Sequence, residues 1–270
     1  MLPFLKAVSI ERAPIKGGTS LPCLLTVMDE YENLLPQPYV VKIFQHAHKE
    51  ATCNEVFAGV LASEFDLRTP PAALIEVDIS LIAELRKIPA YSNRDIEPGY
   101  WFGTELVKNT LDWSPTLPPN AVSVDAMTLI FAFDVLLRNT DRRTGKPNFF
   151  LHQGDPVLID HELSFQYPNN FSEIAPDVTD WRFLRPNAKT GSQGHVFYTR
   201  LRKLHRKNQV DFGAFMEYLR ILNPQILHSY AEQLIESGYE LPHFQSVMSF
   251  LADAKLQPDT FHRLLTNIFQ

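Results

Sequence analysis

Three short apolar runs, KAVSIERA, LPCLLTVMD and PYVVKIF, crowd into the first 45 residues, whereas the chain beyond about residue 211 carries helical spacing throughout. Strand formers segregated from helix formers predict an α+β architecture rather than an alternating α/β one. A helix is expected over about 50–66, with Val56, Ala58, Val60 and Leu61 on one face. RTPPAALIEVDI turns at Pro70–Pro71 and returns to strand, and GYWFGTELV is a further extended segment. After DWSPTLPPN the texture changes. Asn120 is expected to cap a helix running through AVSVDAMTLIFAFDVLLRN, with Val124, Met127, Phe131 and Leu137 as its apolar stripe. NFFLH and PVLIDH, separated by QGD, spell a hairpin. Residues 167–197 read as loop, and FGAFMEYLRIL, HSYAEQLIESG, HFQSVMSFLADA and PDTFHRLLTNIF are the cores of further helices.

Composition narrows the class of function. A net charge of -6 argues against direct nucleic-acid binding, which rests on neutralising phosphates. Cys23 and Cys53 make neither a disulfide framework nor a zinc site, so a reduced, cytoplasmic setting is expected. The opening MLPFLKAVSI is too short an apolar run for a signal peptide, and no stretch has the length of a membrane span. The histidines show no HExxH spacing and there is no GxSxG elbow. The basic run RLRKLHRK at 200–207 is either a solvated helix face or a patch for a phosphorylated or acidic partner.

The chemistry concentrates in LRNTDRRTGKPNFFLHQGDPVLIDHELSF, residues 137–165. Asp141 follows the long helix, Asn148 opens the hairpin and Asp160 closes it. A hairpin brings its two ends together, so Asn148 and Asp160 are candidate hard oxygen ligands for Mg²⁺, which leaves room for phosphates. A carboxylate just before them could accept a proton from an attacking hydroxyl; together these are the parts for phosphoryl transfer. Lys42 inside an apolar run is either an edge lysine with its head in solvent or is paired to an anion, with Glu55 on the next helix as the candidate. The turn KGGTS is either a plain hairpin turn or a phosphate loop offering backbone N–H groups. Asp134, inside the apolar helix, either bonds the following loop from a buried position or sits on an exposed face.

The order GGTS, VVKIF, NEVFAGVLASEFDLRTPPAAL, FGTEL, RNTDRRTGKPNFFL, LIDHELSF resembles the HipA-like kinases of the protein-kinase-like superfamily. The likeness spans about residues 8–166, and the pair NTDRR…PNFFL and LIDH is its most specific part. It implies a two-lobed protein-kinase-like fold, with residues 1–106 as a nucleotide-binding lobe and 107–270 as a catalytic and helical lobe. ATP and Mg²⁺ would be the cofactors, and the phosphate acceptor a hydroxyl on a protein Ser/Thr or on a small molecule. Asp141 would be the catalytic aspartate, and Asn148 and Asp160 the metal ligands. Lys42 would contact the phosphates with Glu55 as its partner. Gly17, Gly18, Thr19 and Ser20 would form the phosphate turn, and Thr104, Glu105 and Leu106 would hold adenine through their backbone. The position five after Asp141, where such kinases carry asparagine, is Lys146, and Asn148 lies seven after. The loop is therefore expected to bulge, or the metal to be held differently. The alternatives are an inactive nucleotide-binding pseudokinase, for which Lys146 is the main support, and a toxin–antitoxin-type interaction module.

Overall fold

Five strands of the N-terminal region close on themselves. They are β1 (Phe4–Arg12), β2 (Cys23–Met28), β3 (Gln37–Val41), β4 (Ala72–Val77) and β5 (Gly99–Glu105), in the barrel order β1-β2-β3-β5-β4. The computed structural model describes residues 1–15, 21–29, 35–43, 49–114, 116–165, 181, 183–189 and 191–270. Every pairing in the barrel is antiparallel except β1 with β4, where Phe4, Leu5 and Lys6 lie opposite Leu74, Ile75 and Glu76 in parallel. Closure leaves no edge strand exposed to further pairing. The side-chain period of two points Cys23, Leu25 and Val27 inward from β2, Tyr39 and Val41 from β3, and Ala73, Ile75 and Val77 from β4. Irregular pairing between Ala7 and Ser9 and between Ile10 and Arg12 interrupts β1 twice, which raises the local twist that a five-stranded closure requires.

The chain divides into two compact units. The first comprises Met1–Val56, Pro70–Lys108 and His228–Leu241. Besides the barrel it contains α2 (Ile79–Arg86), which the apolar pattern alone did not predict. Asp78 caps that helix, accepting from the Leu81 N–H at 2.9 Å, and Leu81, Ile82 and Leu85 are buried in the barrel core. His228–Leu241, expected from sequence to lie with the C-terminal helices, carries most of α6 (Leu227–Glu236) into this unit. The Gln233 amide fixes it there, accepting from the Leu2 N–H at 2.9 Å and donating to the Leu2 carbonyl at 2.7 Å. Burial pushes the thiols of Cys23 and Cys53 up to about 12, so both remain protonated and poor nucleophiles.

The second unit comprises Phe57–Thr69, Asn109–Leu227 and Pro242–Gln270. Helix α1 (Lys49–Glu64) contributes its residues through Val56 to the first unit and the rest to the second. The centre of the second unit is α3 (Val124–Leu137), buried at nearly every position from Met127 onward. Ser123 rather than Asn120 caps it: its hydroxyl accepts from the Ala126 N–H at 3.1 Å. Asn120 lies in a preceding turn closed by the Ala121 N–H on the Pro118 carbonyl, so the helix cannot begin there. The sheet has the order β6 (Thr110–Asp112), β7 (Phe149–His152), β8 (Asp155–Leu158). Gln153 and Gly154 both have positive φ, 56° and 92°, as a tight two-residue hairpin turn demands. Helices α4 (Tyr198–His205), α5 (Gly213–Ile221), α7 (Phe244–Leu256) and α8 (Pro258–Ile268) complete the unit. Aromatic pairs join them, with Phe65 stacked on Phe215 at 5.1 Å and Phe131 against Phe269 at 4.9 Å. Among the described residues no helix is long and apolar enough to cross a membrane.

Gly103 of β5 leaves no room for a side chain in the barrel wall. A Cβ there would lie 2.4 Å from Ile75 Cδ1 and 3.0 Å from Val41 Cγ2. Gly103→Ala is expected to destabilise the protein by about 1–3 kcal/mol through overpacking. At Gly59, a helical position with nothing within 4 Å of its would-be Cβ, the same change should stabilise by up to about 1 kcal/mol. Urea unfolding of the two variants beside wild type checks the opposite signs.

Candidate active site

In the first unit Lys42 follows directly on β3, its N–H still donating to the Phe102 carbonyl at 3.1 Å. Its ammonium group pairs with Glu55 of α1; the side chains are 16% and 6% exposed. Of the two readings of Lys42, the paired one therefore holds, and the pair explains how a cation is tolerated at the end of an apolar strand. Lys42 also lines a cavity of about 230 Å³ with Glu97, Tyr100, Trp101 and Tyr239. At the end of β5, Thr104 is paired with Val40 and Ala72. The Glu105 N–H donates to Pro71 at 2.8 Å and the Leu106 N–H to Pro38 at 2.9 Å. Gly17, Gly18, Thr19 and Ser20 lie outside the described residues.

In the second unit the site is built upward from one buried carboxylate. Asp134, on the last turns of α3, is fully buried. Helix α3 stops at Arg138, which takes the left-handed conformation at φ 52°, and the chain doubles back, with the Asn139 N–H on the Asp134 carbonyl at 2.8 Å. Four bonds then knit the loop. The Asn139 amide donates to Asp134 Oδ1 at 3.0 Å and accepts from the Asp141 N–H at 3.0 Å. Arg142 Nε and His195 Nε2 both donate to Asp134 Oδ2, at 2.6 and 2.9 Å. The remaining guanidinium donors reach the hairpin ends: Nη1 bonds the Asn148 carbonyl, and Nη2 donates to His161 Nε2 at 3.0 Å. One planar fork of donors thus ties helix, loop and both ends of the hairpin.

The charges in this core are matched. Burial works to raise the Asp134 carboxyl, but the Arg142 charge and the bonds from His195 and Arg142 outweigh it and hold the group at about 2. Burial lowers His195 despite its bond to Asp134. The ring is therefore neutral at pH 7, with its proton on Nε2 facing Asp134 and Nδ1 accepting from the Phe197 N–H at 3.2 Å.

Above this layer the sequence-predicted residues converge. Arg143 and Lys146 exchange backbone hydrogen bonds at 2.9 and 3.0 Å, closing a tight Arg-Thr-Gly-Lys turn. That turn lies between Asp141 and Asn148, and Asn148 opens the hairpin. The Asn148 amide nitrogen donates to Asp141 Oδ2 at 3.1 Å and reaches the Asp160 carbonyl at 3.5 Å. Asp141 is nearly buried, and its other oxygen accepts from Arg143 at 2.8 Å. Lys146 Nζ pairs with Asp141 Oδ2 and, at 2.8 Å, with Asp160 Oδ2. Burial works to lower the Lys146 ammonium, but its bonds to Asp141 and Asp160 outweigh this and raise it. Asn148 and Asp160 carry the oxygen donors Mg²⁺ prefers. The position between Asp141 and Asp160, however, is occupied by the Lys146 ammonium and does not fit a divalent ion as well. His195 gave no signal in the sequence: it is a single histidine in a stretch read as loop, placed by long-range packing.

The chain belongs to the HipA-like kinases: the model of that family matches residues 17–177. No curated protein matches the chain. Among solved structures it is similar to a crystal structure of a Helicobacter pylori proinflammatory kinase, CtkA, at 13% identity and a TM-score of 0.49, covering 96% of each chain.

The depressed Asp134 carboxyl has a pH signature. Its folded value of about 2 lies below the ordinary 3.8, so its stabilising contribution is complete above about pH 5 and is lost as pH falls through 4 towards 2. The shift corresponds to about 2 kcal/mol. Asp134→Asn, which leaves the Arg142 guanidinium without its buried counter-ion, should cost about 3–5 kcal/mol at pH 7. The gap between wild type and variant should narrow on acidification to pH 2–3, read by urea unfolding at each pH.

Proposed function

We propose that this protein is an ATP-dependent phosphotransferase that moves the γ-phosphate to a hydroxyl on a protein Ser/Thr or on a small molecule. Membership of the HipA-like kinases supports the kinase class. The observation that carries the finer reading is the convergence of Asp141 and Asp160 on one ammonium group, with the Asn148 amide donating to Asp141, over a buried Asp134–Arg142 scaffold. Gathering two carboxylates at one point raises their mutual repulsion, which the Lys146 ammonium and the Arg143 guanidinium offset.

In this reading Lys42, oriented by Glu55, contacts the phosphates, and Gly17, Gly18, Thr19 and Ser20 supply backbone donors to them. Adenine is held by the backbone of Thr104, Glu105 and Leu106. Because the N–H groups of Glu105 and Leu106 already bond Pro71 and Pro38, the carbonyl oxygens of this segment are the natural acceptors for the adenine amine. Mg²⁺, where the nucleotide brings it, would be held by Asn148 and Asp160 as candidate ligands beside the Lys146 ammonium and would offset phosphate charge. Asp141 orients the acceptor hydroxyl and takes its proton. The acceptor oxygen forms its bond to phosphorus, the bond to the β-phosphate oxygen breaks, and ADP leaves. Kinase transition states are loose, so positioning and charge matter more than the strength of the base. A two-lobed protein-kinase-like arrangement, with 1–106 as the nucleotide lobe and 107–270 as the catalytic lobe, belongs to the same proposal, as does a cytoplasmic setting. Lys146 in place of asparagine favours a second reading, a nucleotide-binding pseudokinase, in which Asp141 is permanently neutralised.

Transfer from radiolabelled ATP to the protein itself, to proteome extracts and to small hydroxyl acceptors separates the readings. Asp141→Asn should keep ATP binding and cut transfer by about 10²–10⁴-fold. Lys42→Ala should weaken ATP binding. Wild type that binds ATP but transfers to none of these acceptors would establish the pseudokinase reading instead.

A further inference from the structure

We infer that Lys146 is a built-in cation: its ammonium group holds the position between Asp141 and Asp160 that a divalent ion would otherwise take. The inference deepens the reading of these residues as a phosphotransfer site and rests on it for its function, though not for its geometry.

Three observations carry it. Lys146 Nζ pairs with Oδ2 of both carboxylates, at 2.8 Å for Asp160. The side chain is held from behind. Its backbone closes the turn with Arg143, and the Gly145 N–H beside it is fixed by Gln193 Oε1 at 2.8 Å. That side chain fills the space beside Gly145, where a Cβ would lie 2.4 Å from Gln193 Oε1, so a larger residue there would have to displace the Gln193 side chain. Finally, Asn148 turns its amide nitrogen, a donor, towards Asp141 Oδ2. A second donor on the oxygen that Lys146 already engages suits a carboxylate neutralised by hydrogen bonds, whereas a shared metal ion would call for Asn148 to present its oxygen.

A charge placed within the chain has consequences for cation demand. A divalent ion entering between Asp141 and Asp160 would displace the ammonium or sit beside it against their mutual repulsion. The nucleotide-free protein should therefore have no tight divalent site here. A bound nucleotide's phosphates would meet a fixed ammonium group, a compact point charge of the kind that binds phosphate.

The test uses Mn²⁺ alone, titrated into the full-length, nucleotide-free protein, with free Mn²⁺ counted by electron paramagnetic resonance. Wild type should bind with an affinity no tighter than about millimolar, and Lys146→Asn should bind at least about tenfold tighter. Lys146→Met, which removes the charge without adding a ligand, should also gain, and Lys146→Asn combined with Asp160→Asn should lose the gain. Lys146 is one-third exposed, so neither single substitution opens a core cavity. Equal Mn²⁺ affinity in wild type and both single variants overturns the inference. ATP binding is measured in parallel by calorimetry. Loss of ATP binding with the Mn²⁺ pattern intact would remove the proposed function and leave the built-in cation standing.

Discussion

The ion pair between Asp134 and Arg142 is the contact on which the rest of the second unit's site depends. Neither side chain has any exposed surface. A guanidinium buried to this degree is tolerated only when its charge and all its donors are met. Meeting them here requires Asp134 on α3, the Asn148 carbonyl at the start of β7 and the His161 ring after β8 to be in place at once. The burial penalty thereby becomes a geometric specification: any displacement of the loop or of the hairpin leaves a buried donor unmatched. His195 and Asn139 fill the remaining acceptor capacity of Asp134, so the carboxylate stays ionised in an apolar setting.

What that scaffold positions is strained in a consistent way. Asn148 and Asp160 both occupy the left-handed region, with φ of 50° and 61°, at the two ends of the same hairpin. Asparagine and aspartate tolerate this region better than other residues with a Cβ, but it still costs energy. The Ile159 N–H donates to the Asn148 carbonyl at 3.0 Å, the same oxygen that Arg142 bonds. The hairpin is thus clamped where its backbone is least relaxed, and the polar side chains of Asn148 and Asp160 are aimed together towards Asp141 and Lys146. In the first unit the corresponding device is simpler: one ammonium at the end of a barrel strand, neutralised by one carboxylate on the following helix.

Much of this was legible in the sequence because it is local. Runs rich in β-forming apolar residues marked β2 and β3, the QGD turn between apolar runs marked the hairpin, and a carboxylate inside the apolar helix drew notice to Asp134. The elements that escaped are those whose stability is not local. Strand β6 has three residues, all exposed, and exists because Leu111 lies opposite Leu151. Helix α2 is eight residues long and is held by its Asp78 cap and by packing under the barrel. The segment His228–Leu241 carries an ordinary amphipathic pattern, and long-range bonds, among them those to Leu2, Lys49 and Tyr100, tie it to the first unit. Lys146 was visible as a departure from the kinase spacing. Its place between two aspartates was not, because it depends on a turn that brings the lysine back over the loop.

The claim that most of this rests on is that Arg142 is locked beneath the site by its buried partners. Hydrogen exchange at its Nε–H, followed by NMR of arginine side chains after transfer to D₂O, tests it directly. The Arg142 Nε–H should persist with the most protected backbone amides of α3, since its exchange would need the unit to open. An Arg142 signal that vanishes as fast as that of the exposed Arg220, which pairs with Glu217 at the surface, would contradict the account.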